Sequence, residues 1–261
     1  QIAYAEQLGF DEVWLAEHEK TGEPRVFKFA FGPAFLRRLK REATLSRLLR
    51  ASLGERDDLA PVLEWNFETQ PFFLEIAYRG QDLPGWAEEH GGLSALPLET
   101  RLELAVQICE TVAAAHSVGV LHRDLKPANV LAAPVPEGHW RTVVVDFGDA
   151  SLVEPELLDA FRITRLGFGE ALEPGSAATA GGTLPYLAPE VLAGAAPSTG
   201  SDIFALGVML YQLVAGDFSK PLAAGWEAEV ADPLLREDIA LAASGDPARR
   251  LGAAAELAHR L

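Results

Sequence analysis

The chain has 261 residues, of which 49% are hydrophobic and 23% charged, an ordinary composition for a globular protein with a sizeable core. Its 22 basic and 38 acidic residues give a net charge of −16, which argues against nucleic acid or an anionic membrane surface as main partner, because both require basic patches. The single cysteine, Cys109, excludes an internal disulfide, and no signal-peptide pattern opens the sequence. We therefore expect a cytoplasmic segment without membrane contact, and leave open an anchor outside it.

The first part of the chain is patterned as strands around one helix. Short stretches rich in apolar and aromatic residues predict strands at 12–16, 25–30, 62–65 and 72–76. Apolar residues on one face predict a helix at about 34–50, and 78–84 is expected to be a connector. Basic residues occupy the polar side of that helix. This part is expected to form a small antiparallel sheet that packs on the helix.

The remainder is patterned mainly as helices. Apolar residues at 3–4 spacing predict a helix at 99–118 with Cys109 on its buried face. A short strand at 142–145 follows, then a long loop at 149–187 that is rich in Gly, Ala and Ser, and helices over most of 188–261. Strands first and helices second favour an α+β fold.

Two short motifs carry the chemistry. The stretch 122–130 reads His-Arg-Asp-Leu-Lys-Pro-Ala-Asn-Val, and Asp-Phe-Gly follows at 146–148. Asp124 can accept the proton of an attacking hydroxyl, and Lys126 can neutralise a moving phosphate. Asn129 and Asp146 offer the oxygen ligands that Mg²⁺ prefers. The set is typical of phosphoryl transfer.

These motifs resemble the catalytic loop and metal-binding motif of eukaryotic-like (Hanks-type) Ser/Thr protein kinases, and the composition resembles that of bacterial members. The resemblance covers nearly the whole chain. It implies a two-lobed fold, with a small antiparallel sheet and one helix in an N-lobe (1–77), a hinge (78–83), a mainly helical C-lobe (84–261) and an activation segment (146–190). It implies ATP and Mg²⁺ or Mn²⁺ as cofactors.

The resemblance also implies roles for individual residues. Lys28 would grip the α- and β-phosphates of ATP and pair with Glu42. Asp124 and Lys126 would be catalytic, and Asn129 and Asp146 would hold the metal. Adenine would lie between the lobes, where the residues expected to contact the nucleotide are Gly9, Val13, Val26, Ile76, Ala77, Tyr78 and Leu131.

Three further motifs resemble parts of the same family's C-lobe. Residues 182–190 resemble the end of an activation segment, and Thr183 with Lys126 is typical of Ser/Thr specificity. Asp202 would hold the backbone of the catalytic loop, and Arg250 would pair with Glu190. The family's partner is a protein substrate with a Ser or Thr acceptor.

The chain departs from the family at the phosphate loop. Only Leu-Gly-Phe-Asp-Glu-Val at 8–13 stands where a run of glycines lets backbone amides approach phosphate. Either the loop is short and acidic, which would weaken ATP binding, or residues are absent from this stretch and its flanks are joined. Ser46 replaces an apolar residue that normally packs against Phe147, which suggests the hypothesis that the helix is loosened and Glu42 is turned away from Lys28.

Arg123 precedes the catalytic Asp, and in kinases with this Arg a phosphate on the activation segment often pairs with it. The candidate phosphorylation sites are Ser176, Thr179 and Thr183, with autophosphorylation expected in 170–183. Such regulation leaves room for self-association, in which one copy phosphorylates another.

The leading interpretation is an active Ser/Thr protein kinase that transfers the γ-phosphate of ATP to protein hydroxyls and phosphorylates itself in signalling. The alternative is a pseudokinase or nucleotide-binding scaffold, which only the degenerate phosphate loop favours. A small-molecule kinase of related fold is a third interpretation, and Thr183 with the Ala-Pro-Glu sequence at 188–190 argues against it.

Overall fold

The computed structural model describes residues 2–7, 13–135, 139–154, 156–168 and 184–261, the first of these ranges by its backbone alone. The strands, in chain order, are β1 (Ile2–Gln7), β2 (Val13–His18), β3 (Pro24–Ala30), β4 (Val62–Asn66), β5 (Phe72–Ala77), β6 (Gln81–Asp82), β7 (Val120–Leu121), β8 (Val130–Pro134), β9 (Trp140–Val144) and β10 (Ser151–Leu152). The α-helices are α1 (Pro33–Leu53), α2 (Leu83–Glu89), α3 (Leu98–Ser117), α4 (Leu157–Ala160), α5 (Pro189–Leu192), α6 (Thr199–Ala215), α7 (Pro233–Ala242) and α8 (Ala254–Arg260).

These elements fall into two compact units. The first unit holds the described residues of 1–79, 146–150 and 154–171, and the second holds those of 80–145, 151–153 and 172–261. The Asp-Phe-Gly motif at 146–148 and helix α4 therefore belong with the large sheet, although 80–145 before them and 172–261 after them belong to the second unit.

The first unit is built on a five-stranded antiparallel sheet in the order β1-β2-β3-β5-β4. Lys28 on β3 lies opposite Leu74 on β5, so the two side chains share one face of the sheet. Leu39 and Ala43 of α1 form a buried cluster with Leu74 and Ile76 on that face. The core thus places α1 over the face of β3 that carries Lys28.

The second unit is organised around α6. Every residue of α6 from Ile203 to Leu213 except Phe204 is buried, as expected for a helix that is apolar on all sides. Arg101 of α3 donates to the carbonyls of Leu213 and Val214, at 2.6 and 2.9 Å. A cation at these carbonyls ties α3 to the C-terminal end of α6.

Two small sheets frame the first motif. Strands β6, β8 and β9 form one sheet, and β7 pairs with β10 in another. The motif leaves the end of β7 and runs into β8, where Val130 lies opposite Val144. The amide of Val145 donates to the carbonyl of Asn129 at 3.0 Å, so backbone pairing continues to the last residue of the loop.

The expected α+β fold class is confirmed, with an antiparallel sheet and one long helix in one unit and mainly helices in the other. Cys109 is 2% exposed, and burial raises the pKa of its thiol to about 12, which confirms a core position. The sequence prediction missed β1 and α2. It was also wrong to leave all of 149–187 as loop, because α4 forms there and buries Leu158 completely.

Among the described residues, no helix has both the length and the apolar composition needed to cross a membrane.

Gly207 tests the packing of α6 on α7. A Cβ at Gly207 would lie 2.6 Å from the Ala243 nitrogen and 2.8 Å from the Ala242 carbonyl carbon. Helix propensity alone would make Gly207→Ala stabilising by about 1 kcal/mol. We expect the clash with backbone to prevail and the free energy of unfolding to fall by about 1–3 kcal/mol in chemical denaturation.

Gly200→Ala is the matched control, because it lies in the same helix and its Cβ would meet only side-chain atoms at 3.4 and 3.5 Å. It should change stability by less than about 1 kcal/mol. A Gly207→Ala protein as stable as the wild type would contradict the close packing of the two helices.

Candidate active site

In the first unit, Lys28 holds two carboxylates. Its Nζ donates to both oxygens of Glu42, at 2.9 and 3.0 Å, and to Oδ1 of Asp146 at 3.2 Å. Burial opposes the charge on Lys28, but Asp146 and Glu42 outweigh that effect and raise the pKa of Lys28 above its ordinary value. The predicted partnership of Lys28 with Glu42 is present, and Lys28 stays cationic at neutral pH.

Glu42 lies in the middle of α1 and is 5% exposed. Burial raises the pKa of Glu42, while the Lys28 ammonium opposes that rise. The hypothesis drawn from Ser46, a loosened helix with Glu42 turned away, is wrong. Helix α1 is continuous through Ser46, and the Glu42 carboxylate faces Lys28.

The turn that carries Asp146 approaches α1 closely. Asp146 adopts a left-handed conformation with φ of 65°, which is uncommon for a residue other than glycine. A Cβ at Gly148 would lie 3.2 Å from Oδ1 of Asp146 and 3.4 Å from Cβ of Arg38. Glycine at 148 therefore allows this turn to lie against the helix.

Arg38 adds a second connection that the sequence analysis missed. Its Nη2 lies 3.0 Å from Oδ2 of Asp149 and 3.7 Å from Oδ2 of Asp146. Arg38 precedes Glu42 by four residues, and residues four apart share one face of a helix. That spacing is the sequence signal that could have placed Arg38 beside the carboxylates of 146–149.

In the second unit, Asp124, Lys126 and Asn129 of the first motif lie together. Lys126 Nζ donates to Oδ2 of Asp124 at 2.8 Å. The amide nitrogen of Asn129 donates to the same oxygen at 2.9 Å and to the backbone carbonyl of Asp124 at 2.7 Å. Asp124 and Asn129 are 5% and 6% exposed, so these bonds fix the carboxylate in a site with little solvent.

Asp202 of α6 holds the backbone of the same loop, as predicted. Its two oxygens accept from the amides of His122 and Arg123, at 2.8 and 2.9 Å, and Nε2 of His116 lies 2.9 Å from Oδ2. Arg123 has a positive φ of 69°, so a left-handed residue begins the turn into Asp124. The buried carboxylate thereby fixes where Asp124 starts.

The predicted pair of Glu190 and Arg250 also forms. Nη1 and Nη2 of Arg250 donate to the two oxygens of Glu190, at 2.7 and 3.0 Å, in the two-pronged geometry of strong guanidinium pairs. The bonds from Arg250 hold the pKa of Glu190 below its ordinary value. Arg250 also donates to the carbonyls of Gly200 and Ser244, so it joins three parts of the second unit.

The residues predicted to contact nucleotide divide between the units. In the first unit, Val13 and Val26 are half-buried and Ile76 is 7% exposed. The amide of Ala77 already donates to the carbonyl of Pro61 at 3.1 Å. Tyr78 follows β5 in the same unit, Leu131 is half-buried on β8 in the second, and Gly9 lies outside the described residues.

The predicted phosphorylation sites Ser176, Thr179 and Thr183 all lie outside the described residues. Arg123, their predicted partner, lies among the described residues, and its backbone amide donates to Asp202.

The proposed metal ligands have suitable donor atoms. The amide nitrogen of Asn129 is bonded to Asp124, so the amide presents Oδ1 as its atom for a cation. Asp146 contributes a carboxylate that is 27% exposed. Each residue therefore offers an oxygen of the kind that Mg²⁺ prefers.

An antiparallel sheet whose Lys pairs with a helix Glu, and a buried Asp-Lys-Asn loop held by a helix Asp, together define the protein kinase class. Comparison with known proteins agrees. The family model for the protein kinase domain matches residues 70–231, more than half of the chain. The chain belongs to the protein kinase domain family, and the resemblance found in its motifs is confirmed.

Its relatives include bacterial kinases. Serine/threonine-protein kinase A of Synechocystis is 30% identical over 222 residues, which cover 79% of this chain and 38% of the relative. Serine/threonine-protein kinase pkn2 of Myxococcus xanthus is 32% identical over 228 residues, 82% of this chain and 24% of the relative. Serine/threonine-protein kinase PknD of Chlamydia felis is 41% identical over 123 residues, 46% of this chain and 12% of the relative.

The chain thus spans well under half the length of these relatives. A solved structure, the PknI kinase domain of Mycobacterium tuberculosis, aligns with a TM-score of 0.66 over 100% of this chain and 96% of that one, at 22% identity. This alignment supports the fold.

Arg250 provides a test of the second unit's stability. Its side chain is 1% exposed and that of Glu190 is 18% exposed. Arg250→Leu removes the guanidinium and leaves the Glu190 carboxylate poorly solvated. We therefore expect the free energy of unfolding to fall by about 3–5 kcal/mol in chemical denaturation at neutral pH. Arg50→Leu is the control, because Arg50 and its partner Glu55 are 66% and 81% exposed, and it should cost less than about 1 kcal/mol.

The pair also predicts a dependence on pH. The pKa of Glu190 is lowered on folding. Its contribution to the free energy of unfolding is therefore complete above the ordinary glutamate pKa of about 4.3, and it is lost as pH falls through the lowered value. Glu190→Gln should lack this acid-dependent part of the stability.

If Arg250→Leu and Arg50→Leu lowered the free energy of unfolding equally, the structural role of the Glu190–Arg250 pair would be contradicted.

Proposed function

We propose that the chain is the catalytic domain of a protein-serine/threonine kinase, which transfers the γ-phosphate of ATP to a Ser or Thr hydroxyl of a protein. The observation that most strongly supports this proposal is that the buried Asp124 carboxylate accepts hydrogen bonds from both Lys126 and Asn129. Membership of the protein kinase family and the names of the relatives support the same activity. Neither supports the non-enzymatic alternative.

The loop residues divide the chemistry as follows. Asp124 accepts the proton of the acceptor hydroxyl as the oxygen attacks the γ-phosphorus in line, and the bond to the β-phosphate oxygen breaks. Lys126 compensates charge on the transferred phosphoryl group. The bonds from Lys126 and Asn129 orient the carboxylate, so that catalysis relies mainly on positioning and on compensation of charge.

Lys28 contacts the α- and β-phosphates in this proposal, and Glu42 holds its ammonium in place. Asn129 and Asp146 would hold Mg²⁺ or Mn²⁺, which would supply positive charge to compensate the phosphates. The adenine contacts fall to Val13, Val26, Ile76, Tyr78 and Leu131. Ala77 contributes its side chain and carbonyl, since its amide is engaged, and Gly9 with its neighbours would cover the phosphates.

In this proposal the chain has an N-lobe at 1–77, a hinge at 78–83, a C-lobe at 84–261 and an activation segment at 146–190. The phosphate acceptor is a separate protein. Leu187 and Ala188 line a small cavity of about 40 Å³ together with Asp124. The end of the activation segment therefore lies beside the catalytic loop, and we place the acceptor peptide near 184–187. The net charge of −16 favours basic substrates.

Regulation by phosphorylation is part of the proposal. Ser176, Thr179 or Thr183 would receive phosphate from a second copy and pair with Arg123. ATP is supplied in the cytoplasm, where we place this domain.

Asp124→Asn tests the proposed function. The amide keeps the shape of the side chain but cannot accept a proton, so we expect kcat to fall about 100- to 10,000-fold, while Mg-ATP still raises the melting temperature. The measurement is transfer of labelled γ-phosphate to a generic basic protein substrate.

Glu103→Gln is the matched control, because it removes one exposed carboxylate from α3 and should transfer phosphate at the wild-type rate. If Asp124→Asn retained that rate as well, Asp124 would not be the catalytic base.

A further inference from the structure

Helix α1 buries more than the face that packs on the sheet. Leu39 and Ala43 belong to the apolar cluster with the sheet. Arg41 and Thr44 are 4% and 1% exposed, although neither is apolar. Burial of a charged and a hydroxyl side chain requires polar partners, so a second structure must cover this side of the helix.

That structure is the segment 156–168, called here the α4 segment, which belongs to the same unit as α1. Arg41 Nη2 donates to the Gly167 carbonyl at 3.0 Å, and its guanidinium lies 5.2 Å from the ring centroid of Phe168, within cation–π range. The Thr44 hydroxyl lies 3.0 Å from the Leu166 carbonyl and 2.8 Å from the Lys40 carbonyl of its own helix, so its one hydrogen is shared between them. Two polar side chains of α1 therefore bind successive carbonyls of the segment.

The contact is also close at the backbone. Gly167 has a positive φ of 80°, and a Cβ there would lie 2.7 Å from the Arg37 carbonyl oxygen and 2.8 Å from the Arg41 nitrogen. Both atoms belong to the main chain of α1 and cannot move aside without distorting the helix. Glycine at 167 is therefore a condition for the segment to lie where it does.

The α4 segment has its own internal order. Leu158 is fully buried and Ile163 is 6% exposed, and the Ile163 amide donates to the Leu158 carbonyl at 2.8 Å. Asp159 accepts from Arg165 at 3.1 Å. The segment can therefore act on α1 as a preformed support and not as a flexible tail.

We propose that Arg41, Thr44 and Gly167 are positioning residues, which hold α1 from the side away from the sheet and keep Glu42 bonded to Lys28. Arg41 directly precedes Glu42, and Thr44 follows it by two residues. The contacts thus support the helix within one turn of the catalytic pair. This inference rests on the proposed roles of Lys28 and Glu42 in phosphate transfer.

Gly167→Ala tests the proposal without changing any charge. The methyl group should push the segment off α1 and free Glu42 from Lys28 in part of the molecules. We expect kcat to fall about fivefold, as when the competent population drops to about one fifth, with KM for the protein substrate unchanged. Lys28 should become more reactive, so its acetylation by acetic anhydride without ATP should rise relative to the exposed Lys20, as quantified by mass spectrometry.

Gly54→Ala is the matched control. Gly54 directly follows α1 and has a φ of 77°, but a Cβ there would meet nothing within 4 Å. An alanine there strains the backbone at the end of the same helix but causes no clash, so both kcat and Lys28 acetylation should stay at wild-type values.

A second pair of variants serves if Gly167→Ala does not fold. Thr44→Val keeps the shape of the side chain but loses the hydroxyl that bonds to Leu166 and to Lys40. It should change kcat and Lys28 acetylation in the same directions by about twofold. Thr44→Ser keeps the hydroxyl and should restore both values.

The two readouts separate the possible failures. If Lys28 acetylation does not rise in Gly167→Ala or Thr44→Val, the segment does not position Glu42 and the inference is overturned. It is equally overturned if kcat stays the same or increases while acetylation rises. If the wild type transfers no phosphate but acetylation rises as expected, the positioning claim stands and the proposed function fails.

Discussion

The hydrogen bonds of Asp202 fix the part of the molecule on which the chemistry depends. A carboxylate that is 2% exposed must replace its lost hydration, and it does so with two backbone amides and a histidine. Those amides belong to the residues just before Asp124. Because α6 is buried along most of its length, Asp202 is held in a fixed position. Its bonds therefore hold the backbone of the loop in a fixed position as well.

Charge compensation within each unit is the second constraint. Lys28 meets Glu42 and Asp146 in the first unit, and Asp124 meets Lys126 and Asn129 in the second. An unpaired charge in such buried positions would be strongly unfavourable. The polar side chains of each unit are therefore already oriented by their bonds to one another. Substrate phosphates would meet donors and acceptors that need no rearrangement.

The polar contacts of the catalytic loop could be predicted from the sequence, because the residues that make them are close together in the chain. Asp124, Lys126 and Asn129 lie within six residues, and their bonds to one another follow from that proximity. Ser46 led to a wrong expectation because the position of α1 depends on Arg38 with Asp149 and on Arg41 with Gly167, which are more than 100 residues apart. Strand β1 was missed because it is defined by its backbone pairing with β2.

The most direct test of the account is to incubate the wild-type chain with Mg-ATP and a mixture of basic peptides, and to identify the products by mass spectrometry while following the melting temperature. We expect Mg-ATP to raise the melting temperature, and phosphoserine or phosphothreonine to accumulate with turnover. A raised melting temperature with no phosphorylated product would contradict it, because the chain would then bind nucleotide without catalysing transfer.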